Sequence, residues 1–223
     1  MLSIPSSPTP RRGFLGRVAM AAAAVGLGSS VPAGLAGETP RPDSVGADPQ
    51  LDAWFAKIRG KHRQVFDAPA AAGGVAGIWP RVYLLTMSAT YPNEQGTAVV
   101  ILRHSAIPLA MQDSLWAKYK FGEVFDIKTN GTAATANPYA VITGLPLPGL
   151  GISELLKSGV LIGVCNAALS VYSGAVAKQT NGDAAAIKQE WIAGLYPGIQ
   201  VVPSGVMAVG RAQELGCSYC FAG

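Results

Sequence analysis

The chain has 223 residues, which is enough for one domain with a sizeable core once an N-terminal targeting segment is set apart. Hydrophobic residues make up 49% of the chain and charged residues 13%, a composition that excludes an intrinsically disordered protein. Of the 17 basic residues, Arg11, Arg12 and Arg17 lie in the targeting segment. The other 14 stand against 13 acidic residues, so a net charge of +1 remains, and no basic stripe predicts nucleic-acid binding.

Residues 1–36 have the pattern of an export signal. Arg11 and Arg12 begin a twin-arginine motif, and an apolar run over residues 18–27 follows it. That run of about 10 residues is too short for the ~20 that a membrane span needs. Small residues precede a predicted cleavage site after Ala36. We therefore expect a twin-arginine signal peptide over residues 1–36, a periplasmic or secreted mature protein, and no stable membrane span after signal removal.

The rest of the chain alternates between helix-like and strand-like segments. Residues 37–50 are rich in Pro, Asp and Gly and are predicted to be a flexible linker, and residues 51–223 are predicted to be one domain. Residues 121–139 are turn-rich and are predicted to be a loop or hairpin. Apolar periodicity and β-branched runs assign the other segments. The predicted helices are 51–66, 113–120, 153–157, 167–177, 183–195 and 206–215, and the predicted strands are 82–89, 97–103, 160–164, 199–202 and 217–221.

This alternation is typical of an α/β sandwich with a mainly parallel sheet. The sequence has no G-x-G-x-x-G motif and no Walker motif, so nothing in it predicts a nucleotide, and we expect no cofactor. Ser105 and Ser204 do not lie in a nucleophile-elbow pattern, so serine hydrolase chemistry has no support either.

Cys165 is the leading candidate for chemistry. It follows the predicted buried strand 160–164 and stands immediately before a predicted helix. Open α/β sheets bind their ligands at the carboxyl ends of their strands, and the start of a helix favours an anion, which at this place is a thiolate. Cys165 is therefore predicted to be a nucleophile or sulfur acceptor. The alternative is a small buried residue that only fills the core.

The two histidines are the next candidates. His104 ends the predicted strand 97–103, so it is expected to share the sheet edge of Cys165 if the two strands are parallel. A Cys–His pair promotes thiolate formation, and the alternative is an ordinary loop histidine. His62 has no obvious partner in the sequence, and we expect a surface or packing role for it.

Cys217 and Cys220 have the C-x-x-C spacing of redox and metal sites. In an extended strand, residues three apart face opposite sides and lie roughly 10 Å apart, whereas a disulfide needs Cα atoms within about 7 Å. The pair therefore does not close on itself if residues 217–221 form a strand. Three hypotheses remain open: that the pair is structural or incidental, that Cys220 approaches Cys165, or that Cys165, Cys217 and Cys220 handle a metal or redox chemistry together.

Residues 195–206 and 211–216 resemble the DsrE/DsrF-like family, in particular an exported, poorly characterised branch of it. Residues 60–67, 106–110 and 116–120 extend the resemblance over most of the mature chain. It implies a flavodoxin-like, three-layer domain with a sheet of roughly five strands, usually assembled as a homo-oligomer. In sulfur-trafficking members a cysteine carries sulfur as a persulfide between partner proteins, and Cys165 stands at the matching position.

Together these observations predict a periplasmic sulfur carrier, or another thiol-dependent protein, that acts through Cys165 with His104 beside it. Its expected partner is a sulfur donor or acceptor protein or a small thiol. The alternatives are a non-enzymatic oligomeric binding or scaffold module, and metal or redox handling through the three cysteines.

Overall fold

Five parallel strands form the central sheet of residues 48–223, the part of the chain that the structure, a computed structural model, describes. The predicted signal peptide and residues 37–47 of the predicted linker lie outside the described residues. The strands of this sheet are β1 (His62–Ala68), β2 (Gly96–Leu102), β5 (Leu161–Cys165), β6 (Gln200–Val202) and β7 (Ser218–Phe221), and a separate two-stranded hairpin consists of β3 (Lys128–Thr129) and β4 (Thr132–Ala133).

Helices cover both faces of the sheet, so the domain is a three-layer α/β sandwich of the flavodoxin-like type, as predicted. The helices are α1 (Pro49–Phe55), α2 (Trp79–Thr90), α3 (Asp113–Tyr119), α4 (Phe121–Val124), α5 (Ile152–Lys157), α6 (Asn166–Thr180), α7 (Ala184–Ala193) and α8 (Gly205–Glu214), with 3₁₀ segments at Ala72–Gly77 and His104–Ala110. The face that we call the major face is covered by α2, α3, α5, α6 and α7, and the minor face is covered by α1 and α8.

The central strands are buried on both faces, which is why they form continuous apolar runs in the sequence. Along β2, Val100 and Leu102 pack into the major-face core, whereas Val99 and Ile101 pack into the minor-face core. All four are fully buried. The strands predicted over residues 97–103, 160–164, 199–202 and 217–221 are confirmed.

Two predicted elements are wrong. The first helix ends at Phe55 rather than at residue 66, and β1 begins at His62. β1 lies between β2 and β7, and it buries Val65 and Phe66 on opposite faces. Its first half is polar because it lies at the half-exposed amino end of the sheet.

Residues 82–89, predicted to be a strand, belong to helix α2 instead. Pro80 lies in its first turn, where the fixed φ of proline suits a helix and its missing N–H has no cost. α2 is the crossover that two adjacent parallel strands, β1 and β2, require. The segment is therefore a helix despite its β-propensity, because the parallel pairing of β1 and β2 requires a crossover between them.

The other predicted helices are confirmed within a few residues, and the turn-rich segment contains the hairpin β3–β4. Its turn is Asn130-Gly131, where both residues have a positive φ, as a two-residue hairpin turn requires. The domain begins slightly earlier than predicted, because α1 starts at Pro49 and the Asp48 carboxylate caps it.

The strand order β6-β5-β2-β1-β7 places a topological switch at one side of the sheet. From β5 the chain leaves through α6 on the major face, whereas from the adjacent β6 it leaves through α8 on the minor face. The two connections diverge from neighbouring strand ends. Such a divergence opens a crevice at the carboxyl edge of an α/β sheet, which is where ligands bind in this architecture.

Among the helices of residues 48–223, none combines the length and the apolar character that crossing a membrane would require.

Candidate functional site

A cavity of about 280 Å³ occupies the crevice between the carboxyl ends of β5 and β6. One wall is the start of α6, the other is the start of α8, and the end of β2 closes the third side. The volume is at the small end of the range for ligand sites, so it suits a small molecule or the tip of a chain. The residues that line it are Arg103, His104, Cys165, Ala167, Ala168, Val171, Tyr172, Ser204, Gly205 and Val206.

Cys165 is the last residue of β5 and the N-cap of α6, as the sequence predicts. Its Sγ accepts a hydrogen bond from the backbone amide of Ala168 at 3.3 Å. The residue is only 6% exposed, yet it lines the cavity. The thiol is therefore buried in the fold but faces the crevice, where the first-turn amides of α6 favour a negative charge.

His104 lines the same cavity, so the predicted shared edge is confirmed. Its hydrogen-bond partner in the described part of the chain is Tyr172, not the sulfur of Cys165. The Tyr172 Oη lies 3.4 Å from Nδ1 and 3.5 Å from Nε2, and the two rings are edge-on at 5.8 Å between centroids. Cys165 and His104 are thus neighbours in one cavity rather than a hydrogen-bonded pair.

An ion pair that the sequence analysis missed lies beside the cavity. Arg103 donates from Nε to Asp67 Oδ1 at 2.6 Å and from Nη2 to Asp67 Oδ2 at 2.9 Å, which is a bidentate contact. Tyr219 Oη donates to Asp67 Oδ2 at 2.9 Å. The Asp67 side chain is 6% exposed and that of Arg103 29%. Three strands, β1, β2 and β7, therefore contribute to one polar network at the carboxyl edge.

The charges of this network stabilise each other. Burial by itself raises the pKa of the Asp67 carboxyl, but the hydrogen bonds from Arg103 and Tyr219 outweigh it and lower the pKa below its ordinary value. The hydrogen bond to Asp67 raises the pKa of the Arg103 guanidinium, and the neighbouring Cys165 side chain adds a smaller contribution in the same direction. Asp67 and Arg103 are both charged at neutral pH.

Gly205, the first residue of α8, leaves the space that the Arg103 side chain occupies. A Cβ atom at position 205 would lie 2.5 Å from the Cβ of Arg103 and 3.0 Å from its Cδ, closer than carbon atoms pack. The aliphatic stem of Arg103 therefore runs directly against the backbone of α8. A glycine that follows an N-cap serine was the available sequence signal for this close approach.

The other two cysteines lie away from the cavity, and all three thiols are free. Cys217 packs into the minor-face core and Cys220 against the major-face core, so the predicted opposite orientation is confirmed. Burial raises the pKa of both thiols, which favours their protonated form.

The hypothesis that Cys220 approaches Cys165 is wrong. Strands β2 and β1 lie between β5 and β7, which separates them by three strand spacings, about 14 Å. Within residues 48–223 no group of three or more His, Cys, Asp and Glu residues is placed to hold a metal ion. The three cysteines are therefore not gathered into one metal or redox site.

His62 has the surface and packing role that the sequence predicts. It lies at the amino end of β1, where its ring stacks on Tyr91 with 4.9 Å between centroids and its Nε2 contacts the Glu94 carboxylate. Lys61 Nζ donates to the same carboxylate at 2.7 Å.

The chain matches no family model and no curated protein. Among solved structures it is similar to MTH1491, a protein of unknown function from Methanobacterium thermoautotrophicum, with 20% sequence identity and a TM-score of 0.35. The match covers 72% of this chain and 99% of that chain. The fold class stated above rests on the sheet topology of the chain itself, and membership of the DsrE/DsrF-like family stays a prediction.

Proposed function

We propose that this protein is a periplasmic DsrE-like sulfur carrier, or more generally a thiol-dependent protein, in which Cys165 accepts sulfur as a persulfide. The observation that carries the proposal is the position of the Cys165 thiol, at a strand end and a helix start, facing a cavity at the switch point of the sheet. The twin-arginine motif at Arg11 and Arg12 supports the periplasmic setting.

The transfer needs no oxidant or reductant beyond the sulfur donor. The Cys165 thiolate attacks the outer sulfur of a donor persulfide, R–S–SH. A new S–S bond forms at Cys165, the S–S bond of the donor breaks, and the donor leaves as the thiolate R–S⁻. Delivery to an acceptor thiol is the same exchange in reverse.

The residues around the sulfur suit this exchange. The Ala168 amide donates a hydrogen bond to Sγ at the start of α6. The cavity walls formed by Ala167, Ala168 and Val206 are apolar and keep bulk water from most of the sulfur. A small thiol fits the cavity, and so does the tip of a partner's chain.

Mass spectrometry of the intact mature protein tests the proposal. After incubation with a polysulfide donor and removal of excess donor, we expect the wild-type protein to gain sulfur atoms. Cys165→Ser should gain none, because the acceptor is gone, whereas the matched variant Cys220→Ser should gain as much as the wild type. An equal gain in Cys165→Ser, or no gain in the wild type, contradicts the proposal.

A binding or scaffold module is the second candidate, and one observation favours it. Cys165 is 6% exposed and caps α6 through its sulfur, which is a sufficient structural reason for a cysteine at this position. This candidate predicts that Cys165→Ala lowers the free energy of unfolding by about 1 kcal/mol, the cost of a lost cap, and that the wild-type protein takes up no sulfur. The resemblance also implies a homo-oligomer, which light scattering on the mature protein tests.

A further inference from the structure

The side chains around the Cys165 cavity have a one-sided charge. Arg103 and His104 line it, and none of its ten lining residues within the described chain is Asp or Glu. The first turns of α6 and α8 form two of its walls, and a helix start carries a partial positive charge. A negatively charged reactant therefore meets no acidic side chain in the wall of the cavity.

Arg103 provides the fixed part of this charge. Two of the five guanidinium N–H groups donate to Asp67, so the other three are available to a ligand or to water. Arg103 lines the cavity, whereas its partner Asp67 does not. Tyr219 donates a hydrogen bond to Asp67, and the backbone at Gly205 packs against the stem of Arg103.

The sheet register brings Arg103 next to Cys165. Leu102 of β2 lies opposite Val164 of β5, so the residues that follow them, Arg103 and Cys165, lie opposite each other where the two strands end. Neighbouring strands are about 4.8 Å apart. Arg103 and Cys165 thus follow each other's register at the ends of adjacent strands, and both residues line one cavity.

From this geometry we infer that the cavity selects an anionic reactant for Cys165 and that Arg103 is the specificity-determining side chain. The inference rests on the proposed function in one respect, namely that Cys165 reacts with a ligand in the cavity. The substrate class that it names is a small sulfur compound with a negative charge close to the reacting sulfur, such as a hydropolysulfide or the persulfide of an acidic thiol.

Two alkylating reagents of nearly equal size test the inference on the mature protein. Iodoacetate is an anion and iodoacetamide is neutral, and both react with the thiolate, so the ratio of their rates at Cys165 cancels the thiolate fraction. Peptide mapping by mass spectrometry follows Cys165 separately from Cys217 and Cys220. We expect Arg103→Met to lower the iodoacetate-to-iodoacetamide ratio about five-fold, because one nearby positive charge is lost.

Arg211→Met is the matched control. Arg211 is an arginine on α8 that pairs with Glu214, six residues and about 9 Å along the helix from Gly205. The iodoacetate-to-iodoacetamide ratio of Arg211→Met should equal that of the wild type. Arg103→Met leaves Asp67 without its partner, so the double variant Asp67→Asn/Arg103→Met gives the same measurement without a buried unpaired carboxylate.

Salt gives a second measurement that needs no variant. In the wild-type protein the ratio should fall as ionic strength rises, because screening weakens attraction of the anionic reagent. The inference is overturned if the ratio is unchanged in both Arg103 variants, or if the alkylation rates with iodoacetate and iodoacetamide fall equally. Neither result depends on sulfur uptake, so a protein that takes up no sulfur but shows the Arg103-dependent ratio contradicts the proposed function alone.

Discussion

The two ends of the sheet carry the same kinds of side chain in different settings. At the carboxyl end, Arg103 forms an ion pair with Asp67, whose side chain is 6% exposed. At the amino end, Lys61 holds Glu94 with the two side chains 69% and 29% exposed. Each end also has a histidine beside a tyrosine ring, His104 on Tyr172 and His62 on Tyr91.

Cavity size does not separate the two ends. A cavity of about 520 Å³ lies at the amino end, but within the described residues its lining contains no Cys, His, Asp or Glu. The smaller cavity at the carboxyl end contains Cys165 and the starts of two helices. The difference shows that topology, by gathering strand ends and helix starts at one edge, determines where this fold can support chemistry.

The largest difference between the ends is expected for their acidic residues. Asp67→Ala should lower the free energy of unfolding by about 3 kcal/mol, because it breaks a mostly buried ion pair and leaves one partner uncompensated. Glu94→Ala removes a half-buried carboxylate whose lysine partner is exposed, and it should leave that free energy within experimental error. Urea denaturation at pH 7 measures both, and equal losses in the two variants would show that the ends do not differ.

A pair of glycines on α8 sharpens the comparison within one helix. Gly205→Ala should lower the free energy of unfolding by about 2 kcal/mol, because the added methyl group overlaps Arg103. Gly210→Ala should raise it by about 0.5–1 kcal/mol, since the added methyl meets no atom within 4 Å and alanine favours a helix. Thermal denaturation of the two variants checks the opposite signs, and a stabilised Gly205→Ala would contradict the close approach.

The smallest expected effect is the pH dependence of the carboxyl-end pair. The pKa of Asp67 lies below its ordinary value of 3.8, because the hydrogen bonds from Arg103 and Tyr219 and the charge of Arg103 outweigh the effect of burial. A carboxylate with a lowered pKa stabilises the fold above its unfolded pKa and ceases to do so as the pH falls through the folded value. Stability should therefore be constant from neutral pH to about 5 and decrease below about 4.

Asp67→Asn isolates this contribution. Its free energy of unfolding, followed by urea denaturation in steps from pH 7 to 3, should decrease less at acidic pH than that of the wild type. Glu94→Gln is the matched variant at the amino end, where the hydrogen bonds from Lys61 and His62 also lower the pKa of the carboxyl. If Glu94→Gln reduced the acid-dependent loss of unfolding free energy more than Asp67→Asn does, the amino-end carboxylate would be the more important of the two.

The sequence predicted the carboxyl edge better than it predicted the elements that build it. Cys165 and His104 each follow a strand made of a continuous apolar run, and the ends of such strands can be read from the chain. β1 was missed because three of its first residues are polar and because Asp67 is buried only through a partner 36 residues away. Its loss from the prediction also hid the Asp67–Arg103 pair.

Helix α2 is the opposite error, a helix that the sequence pattern predicts to be a strand. Its β-branched and aromatic residues favour a strand locally, but every residue of the helix except Pro80 is half-buried or exposed. The segment also lies where the chain must cross from β1 to β2. Which segment crosses and which one pairs is decided by the whole sheet. Local pattern therefore misassigns this one connection, although it identifies the other helices that connect the strands.

The hydrogen bond from the Ala168 amide to Cys165 Sγ makes the backbone a reporter of the sulfur. Any group added to the thiol changes the atom that this amide faces, so its nuclear magnetic resonance frequency and its rate of hydrogen exchange change with the state of the cysteine. Occupancy of the thiol can thus be followed in solution at a single backbone position, without a dye, a tag or a substitution.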